Sequence, residues 1–218
     1  MREWWMVLRK ETLSELRGKH GLYLAFLTAF VSAVAIGLAA SIEKPPPSVA
    51  AALVELTLLF TAVHATTRTF LLEEEQGTGD LLRTLGNPVA VYLGKMTYNL
   101  LLLLFVAALA LPVVLLLTGF SVVNAPLFLS SVGFGCMGLA AAISFCGALA
   151  SRSRGGATAA GVISLPILLP WVWMGLNAFR VAFGDVAPRP WASCIGLLGL
   201  AMVFGAAGPW LYAIIWRK

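Results

Sequence analysis

"LLEEEQGTGDLLRTLGNP", Leu71 to Pro88, holds the densest negative charge in the chain and separates two long apolar stretches. Glu73, Glu74 and Glu75 stand in a row, followed by Gly77, Gly79 and Asp80, then by Leu81, Leu82 and Leu85. A run of carboxylates does not stay in hydrocarbon without partners. The stretch is therefore a connector outside the membrane, and the apolar runs beside it are two separate spans.

The rest of the chain agrees with a bilayer as its solvent. It is 60% hydrophobic and 11% charged, where a soluble domain is nearer half apolar and a quarter charged. Six apolar segments are each near the ~20 residues that cross ~30 Å of hydrocarbon: Leu22–Ile42, Val49–Leu72, Tyr92–Thr118, Ala125–Ala150, Gly156–Leu176 and Trp191–Trp216. Each must satisfy its own backbone hydrogen bonds, so each is read as a helix. The expected fold is an all-α integral membrane protein of six transmembrane helices, forming one domain over residues 1–218. No connector is long enough to hold a soluble domain. The first ~20 residues are charged throughout and lack the apolar core of a cleavable signal.

Basic residues set the orientation. Twelve of the 15 Lys and Arg lie in the N-terminal tail, around Leu71–Pro88, in "SRSRGG" and at the C-terminus. The other side has three, Lys44, Arg180 and Arg189. Both termini and the acidic connector are expected in the cytoplasm, in a multi-pass membrane protein. The net charge of +5 belongs to this asymmetry and points to no nucleic acid. Residues 1–20 are expected as an interfacial helix on membrane lipid, with Trp5, Leu8, Thr12 and Leu16 on one side and Glu3, Lys10, Ser14 and Arg17 on the other.

Within the spans, Thr57, Thr61, His64 and Arg68 fall on one helical face. Two readings stand: a polar lining of a pathway or subunit interface, or packing, with Arg68 reaching the cytoplasmic surface and the threonines bonding their own helix. Glu55 points elsewhere, two turns from the outer end, within reach of water. Gly138, Ala142, Cys146 and Ala150 repeat every four residues, with Ser131 and Gly135 adding a second small pair, and signal close helix packing. Pro166 and Pro170 predict a bent or broken fifth helix. Trp171 and Trp173 are expected at the outer interface, and Phe179, Phe183 and Pro188 in a segment dipping back toward it. Cys136, Cys146 and Cys194 read as packing residues, with no CxxC pair. No HExxH, GxSxG or GxxxxGK[ST] pattern occurs, so no catalytic or metal site is assigned.

The acidic connector is expected to form a short helix along the membrane. Its glutamates suit a helix N-terminus, Asp80 caps the turn after the glycines, and Pro88 ends it. Leu81, Leu82 and Leu85 give it an apolar flank that a solvated loop would leave exposed without purpose. It reads as a docking element for a soluble partner.

These residues carry a resemblance. "EEEQGTGDLLRTLGNPVAVYLGK" resembles the cytoplasmic signature of ABC-2-type exporter permeases, with Gly79 where that pattern usually has leucine. Within that group the chain resembles the CcmB family, the haem-exporter permeases of cytochrome c maturation. Length and six-span layout agree end to end, Arg68 and Phe70 precede the acidic run, and "RGGATAAGVISLPILLP" (Arg154 to Pro170) is similar to that family's Arg-Gly-Gly and Leu-Pro stretch.

The resemblance implies that residues 73–88 are the coupling helix between spans 2 and 3, seated on an ATPase subunit. It implies two copies of this chain with two CcmA-like ATP-binding subunits, CcmC-like and CcmD-like membrane subunits, and a CcmE-like haem chaperone. ATP then sits on the partner, haem is the implied cargo of the complex, and this chain binds no cofactor and is no enzyme. "PWVWMG" lacks the aspartate of the Trp-rich motif in haem-handling relatives, and His20 and His64 lie toward the cytoplasmic side. A mechanical role is expected. An ABC-2 permease for another cargo (drug, lipid or glycan) is the alternative. A stand-alone channel would need inverted repeats and midplane ion sites.

Overall fold

A computed structural model describes residues 2–18, 20–40, 46–66, 69–70, 77, 86–151 and 156–216. Among the described residues are seven α-helices and no strand. They are α1 (Arg2–Gly18), α2 (His20–Ala40), α3 (Pro47–Thr66), α4 (Pro88–Thr118), α5 (Ala125–Ala150), α6 (Gly156–Ala182) and α7 (Ala192–Trp216). Four are long and apolar enough to cross a membrane: α4, α5, α6 from Gly161 onward, and α7.

Local chemistry fixes the ends. Asn87 caps α4 by accepting from the Val89 N–H at 3.0 Å, and Pro88 fills the first helical position, where no N–H is needed. Pro88 thus begins α4 instead of closing a separate connector helix, and the third apolar helix starts four residues before Tyr92. Gly119 closes α4 in the left-handed region at φ 66°, donating its N–H to the Leu115 carbonyl at 3.0 Å. Asn124 caps α5 through the Leu127 N–H at 3.1 Å. Contrary to an interruption in the fifth helix, α6 runs on as one helix through Pro166 and Pro170 to Ala182, beyond Leu176. Both prolines are exposed on the outside of the bundle.

The small-residue helix α5 is the hub, packed on α7, α6, α4 and α3. Ser131, Gly135, Gly138, Ala142, Cys146 and Ala150 are all buried along it. A Cβ at Gly138 would come within 3.3 Å of both the Leu197 carbonyl of α7 and the Trp171 ring of α6. Trp171 is a core residue and not an interface anchor: its Nε1–H donates to the Gly135 carbonyl at 2.9 Å. Trp173, two residues on and turned the other way, is exposed. The segment after α6 forms no short helix of its own before Ala192. Phe179 belongs to the last turn of α6, and Phe183 packs on Phe120 and Phe128 in the core. At this end the Val123 and Asn124 N–H groups both donate to the Ala182 carbonyl, at 3.0 and 3.1 Å. That clip ties the start of α5 to the end of α6.

Large apolar side chains point outward as well as inward. Leu38, Leu116, Leu129, Leu169, Met202 and Trp210 are all exposed. An exterior of this kind suits an apolar solvent and would be a liability in water. The three cysteines are buried and unbridged.

Candidate functional site

The residues on either side of the acidic connector meet at one point in the bundle. Thr69 and Phe70 enter it; Asn87 to Asn99 leave it. Lys95, two turns into α4, is fully buried. Its ammonium donates to the Thr69 carbonyl oxygen at 2.5 Å and pairs with the Glu11 carboxylate of α1 at 3.4 Å. It also lies 5.2 Å from the centre of the Phe70 ring, a favourable cation–π placement. One turn along α4, Asn99 accepts from the Thr69 hydroxyl at 2.7 Å and donates to the Ser144 hydroxyl of α5 at 2.9 Å. A buried charge is tolerable when paired and hydrogen-bonded, and this one is both. Low local polarity strengthens every bond in such a network.

Phe70 fills the space below. Its ring lies 5.7 Å from those of Tyr92 on α4 and Tyr212 on α7, and Tyr212 stacks edgewise on Trp216. Two glycines make room: a Cβ at Gly147 would meet Phe70 at 3.3 Å, and one at Gly208 would overlap the Tyr92 hydroxyl group. The chain entering the connector is thus held by α4, α5 and α7.

The chain leaving it is held by α1. Glu3 accepts from the Asn87 N–H at 3.3 Å, and the Trp4 indole N–H donates to the Thr97 hydroxyl at 3.2 Å. Val7 sits against Gly94, where a Cβ would come within 2.8 Å of its side chain. The face of α1 that packs on α4 is therefore Trp4, Val7, Leu8 and Glu11. This corrects the expected face of Trp5, Leu8, Thr12 and Leu16: Leu8 is buried, Trp5 and Thr12 are exposed, and the Leu16 side chain lies outside the described residues. The reason is that α1 docks on protein, with Trp5, Met6 and Leu13 left outward.

The helix that carries most of this junction, α4, is longer than a span needs. Its 31 residues span about 46 Å at ~1.5 Å per residue, against ~30 Å of hydrocarbon. The excess of roughly 15 Å is about ten residues.

Of the connector residues expected to act, Gly77 and Pro88 are described. Gly77 is exposed at φ 67°, a conformation that favours glycine. Glu73, Glu74, Glu75, Asp80, Leu81, Leu82 and Leu85 lie outside the described residues, as does Arg68. Thr57 and Thr61 are buried, and their hydroxyls donate to the Leu53 and Thr57 carbonyls at 2.9 and 2.7 Å. Those hydroxyls are spent on their own helix. His64 falls within α3, with its side chain outside the described part. Glu55 does not reach water: it is 2% exposed.

Sequence reasoning misses the junction, because by charge alone Lys95 is one more cytoplasmic positive. A signal is there: Lys95 and Asn99 form an i, i+4 polar pair in "YLGKMTYNL", within an otherwise apolar helix.

A family model described as "CcmB protein" matches residues 2–213. The chain belongs to the CcmB family. Comparison with individual curated proteins gives no match. Membership in the CcmB family brings with it the general role of a membrane permease subunit of the ABC type in haem transport and cytochrome c biogenesis. The match takes in α1 as well as the apolar helices, so the N-terminal helix and its junction with Lys95 lie inside the family's matched region.

Proposed function

We propose that this chain is the permease subunit through which a separate ATP-binding subunit drives the haem-exporter assembly of cytochrome c maturation. The chain crosses a bacterial inner membrane six times, with α1 lying at the cytoplasmic interface and both termini and the acidic connector in the cytoplasm. The acidic connector ahead of α4 holds the coupling helix, with Glu73, Glu74 and Glu75, Gly77, Asp80, Leu81, Leu82 and Leu85 meeting the ATPase and Pro88 opening α4 behind it. Two copies pair with two CcmA-like subunits and work beside CcmC-like and CcmD-like chains to release the haem-loaded CcmE-like chaperone. The haem is cargo of the assembly, ATP is held by the partner, and this chain works mechanically.

The observation that carries the reading is the buried junction of Lys95, Thr69, Asn99, Ser144 and Glu11. A connector hung on loose tethers absorbs a push. One whose two ends are locked to each other and to α1, α4, α5 and α7 passes it to the whole bundle. Nothing in the junction resembles a reaction centre: its groups are spent on one another.

The test is reconstitution with the ATP-binding subunit. Reversing Glu73, Glu74 and Glu75 to lysine should weaken co-purification of that subunit and lower ATP-dependent release of the haem-loaded chaperone, with the membrane subunit present at normal levels. Unchanged association and turnover would overturn the docking role of the connector.

A further inference from the structure

Glu55 lies two turns into α3, in the half of the bundle away from the acidic connector. It is 2% exposed, and neither carboxyl oxygen has a hydrogen-bond partner among the described residues. Its seat is Gly175 of α6, where a Cβ would overlap the carboxyl group. The acid therefore rests on the α6 backbone, at a spot that only glycine leaves open.

Among the described residues no cation is placed to neutralise it. The helices packed on α3 are α2, α4, α5 and α6. From Leu24 to Ala40, Leu100 to Thr118 and Gly156 to Phe179, neither α2, α4 nor α6 carries an ionisable side chain. On α5 the facing titratable group is Cys136, itself buried and another acid. Arg180, the next cation along α6, is turned to Asp185 at 2.9 Å. An ionised carboxylate with neither cation nor donor is strongly disfavoured in such surroundings, and the group neutralises instead. Intramembrane acids of this kind serve proton relays and ion paths.

We propose that Glu55 is a proton-binding site that is filled while α3, α5 and α6 are packed together and empties to water when α3 parts from α6. On parting, the carboxyl O–H bond breaks, its electron pair stays on the carboxylate and the proton passes to a water molecule. On closure the carboxylate takes a proton back before it is buried again. Each opening of this half of the bundle thus carries one proton out of the α3–α6 contact. The filled state is independent of the transport role; the emptying step rests on the ATP-driven motion proposed above.

Infrared spectroscopy of the full chain with its ATP-binding partner in lipid nanodiscs tests both halves. At neutral pH the resting wild type should show the carbonyl band of a protonated carboxylic acid. Glu55→Gln should remove it and Glu55→Asp should move it, so a folding failure of either variant leaves the other as the assignment. A resting wild type with carboxylate bands alone overturns the proposal. On trapping with ATP and vanadate the band should be lost, and it should return on washing. A band unchanged through turnover overturns the emptying step, and chaperone release in the same preparation shows whether the transport reading stands regardless.

Discussion

The Lys95 ammonium bonds to the Thr69 carbonyl across 26 positions of sequence, closing the acidic connector into a loop with a locked base. Lys95→Met should remove the lock. It leaves Glu11 paired with Lys10 at 3.3 Å but takes the buried donor away from the Thr69 carbonyl, a loss of about 1–3 kcal/mol. Thermal unfolding in detergent should show the loss. ATP hydrolysis by the partner should continue while chaperone release falls, because the push no longer reaches the bundle. Lys95→Arg should not rescue it, since a planar guanidinium does not fit a fully buried ammonium site.

Asn99 bridges Thr69 and Ser144, and each bond should register separately. Asn99→Ala should cost about 1–3 kcal/mol for the two buried bonds it removes. A double-mutant cycle of Asn99→Ala with Ser144→Ala should give a coupling of about 0.5–3 kcal/mol. Additive effects would mean that α5 is not held through this bond.

Gly94 is the point where α1 rests on α4. Gly94→Leu should lift α1 off, and limited proteolysis should then cut within Arg2–Gly18 while α4 to α7 stay intact. Gly133→Ala is the control, since an added Cβ there meets nothing within 4 Å.

These sites show what is legible in the sequence. The apolar helices can be placed to within a few residues because hydrocarbon demands long uncharged runs, and Asn87, Asn124 and Gly119 mark ends by ordinary capping chemistry. Which side of each helix faces its neighbours is not legible. A helix apolar all round gives no amphipathic signal, since lipid and protein core are equally greasy. Trp171 is therefore expected at an interface and is found buried under a hydrogen bond, and the docked face of α1 lies about one residue from the expected one. Small residues do speak: the spacing from Gly138 to Ala150 marks α5 as the packing hub. The polar junction becomes visible only when Lys95 is seen as half of a pair with Asn99 and not as a loop charge.

Trp171 fixes α6 to α5. Trp171→Ala should cost about 3–5 kcal/mol for the cavity left in the core. Trp173→Ala, on the exposed side of the same helix, should leave the unfolding midpoint nearly unchanged. Equal losses from the two would mean that α6 packs by another face.

Replacing His20 and His64 together should leave cytochrome c maturation largely intact if the chain's part is mechanical. Abolished maturation with normal subunit levels would assign one of them a direct role with haem.

The Asn99–Ser144 bond also bears on how the protein is made. The two residues are 45 positions apart, and α5 is synthesised after α4. Until Ser144 emerges, Asn99 lacks its α5 partner, whereas Thr69, Phe70 and Glu11, the partners of Lys95, are already made. The ribosome thus delivers α4 with this one bond still open. The junction seals only when α5 arrives, so biogenesis has a commitment step there, and chains stopped before Ser144 should remain open to quality-control proteases.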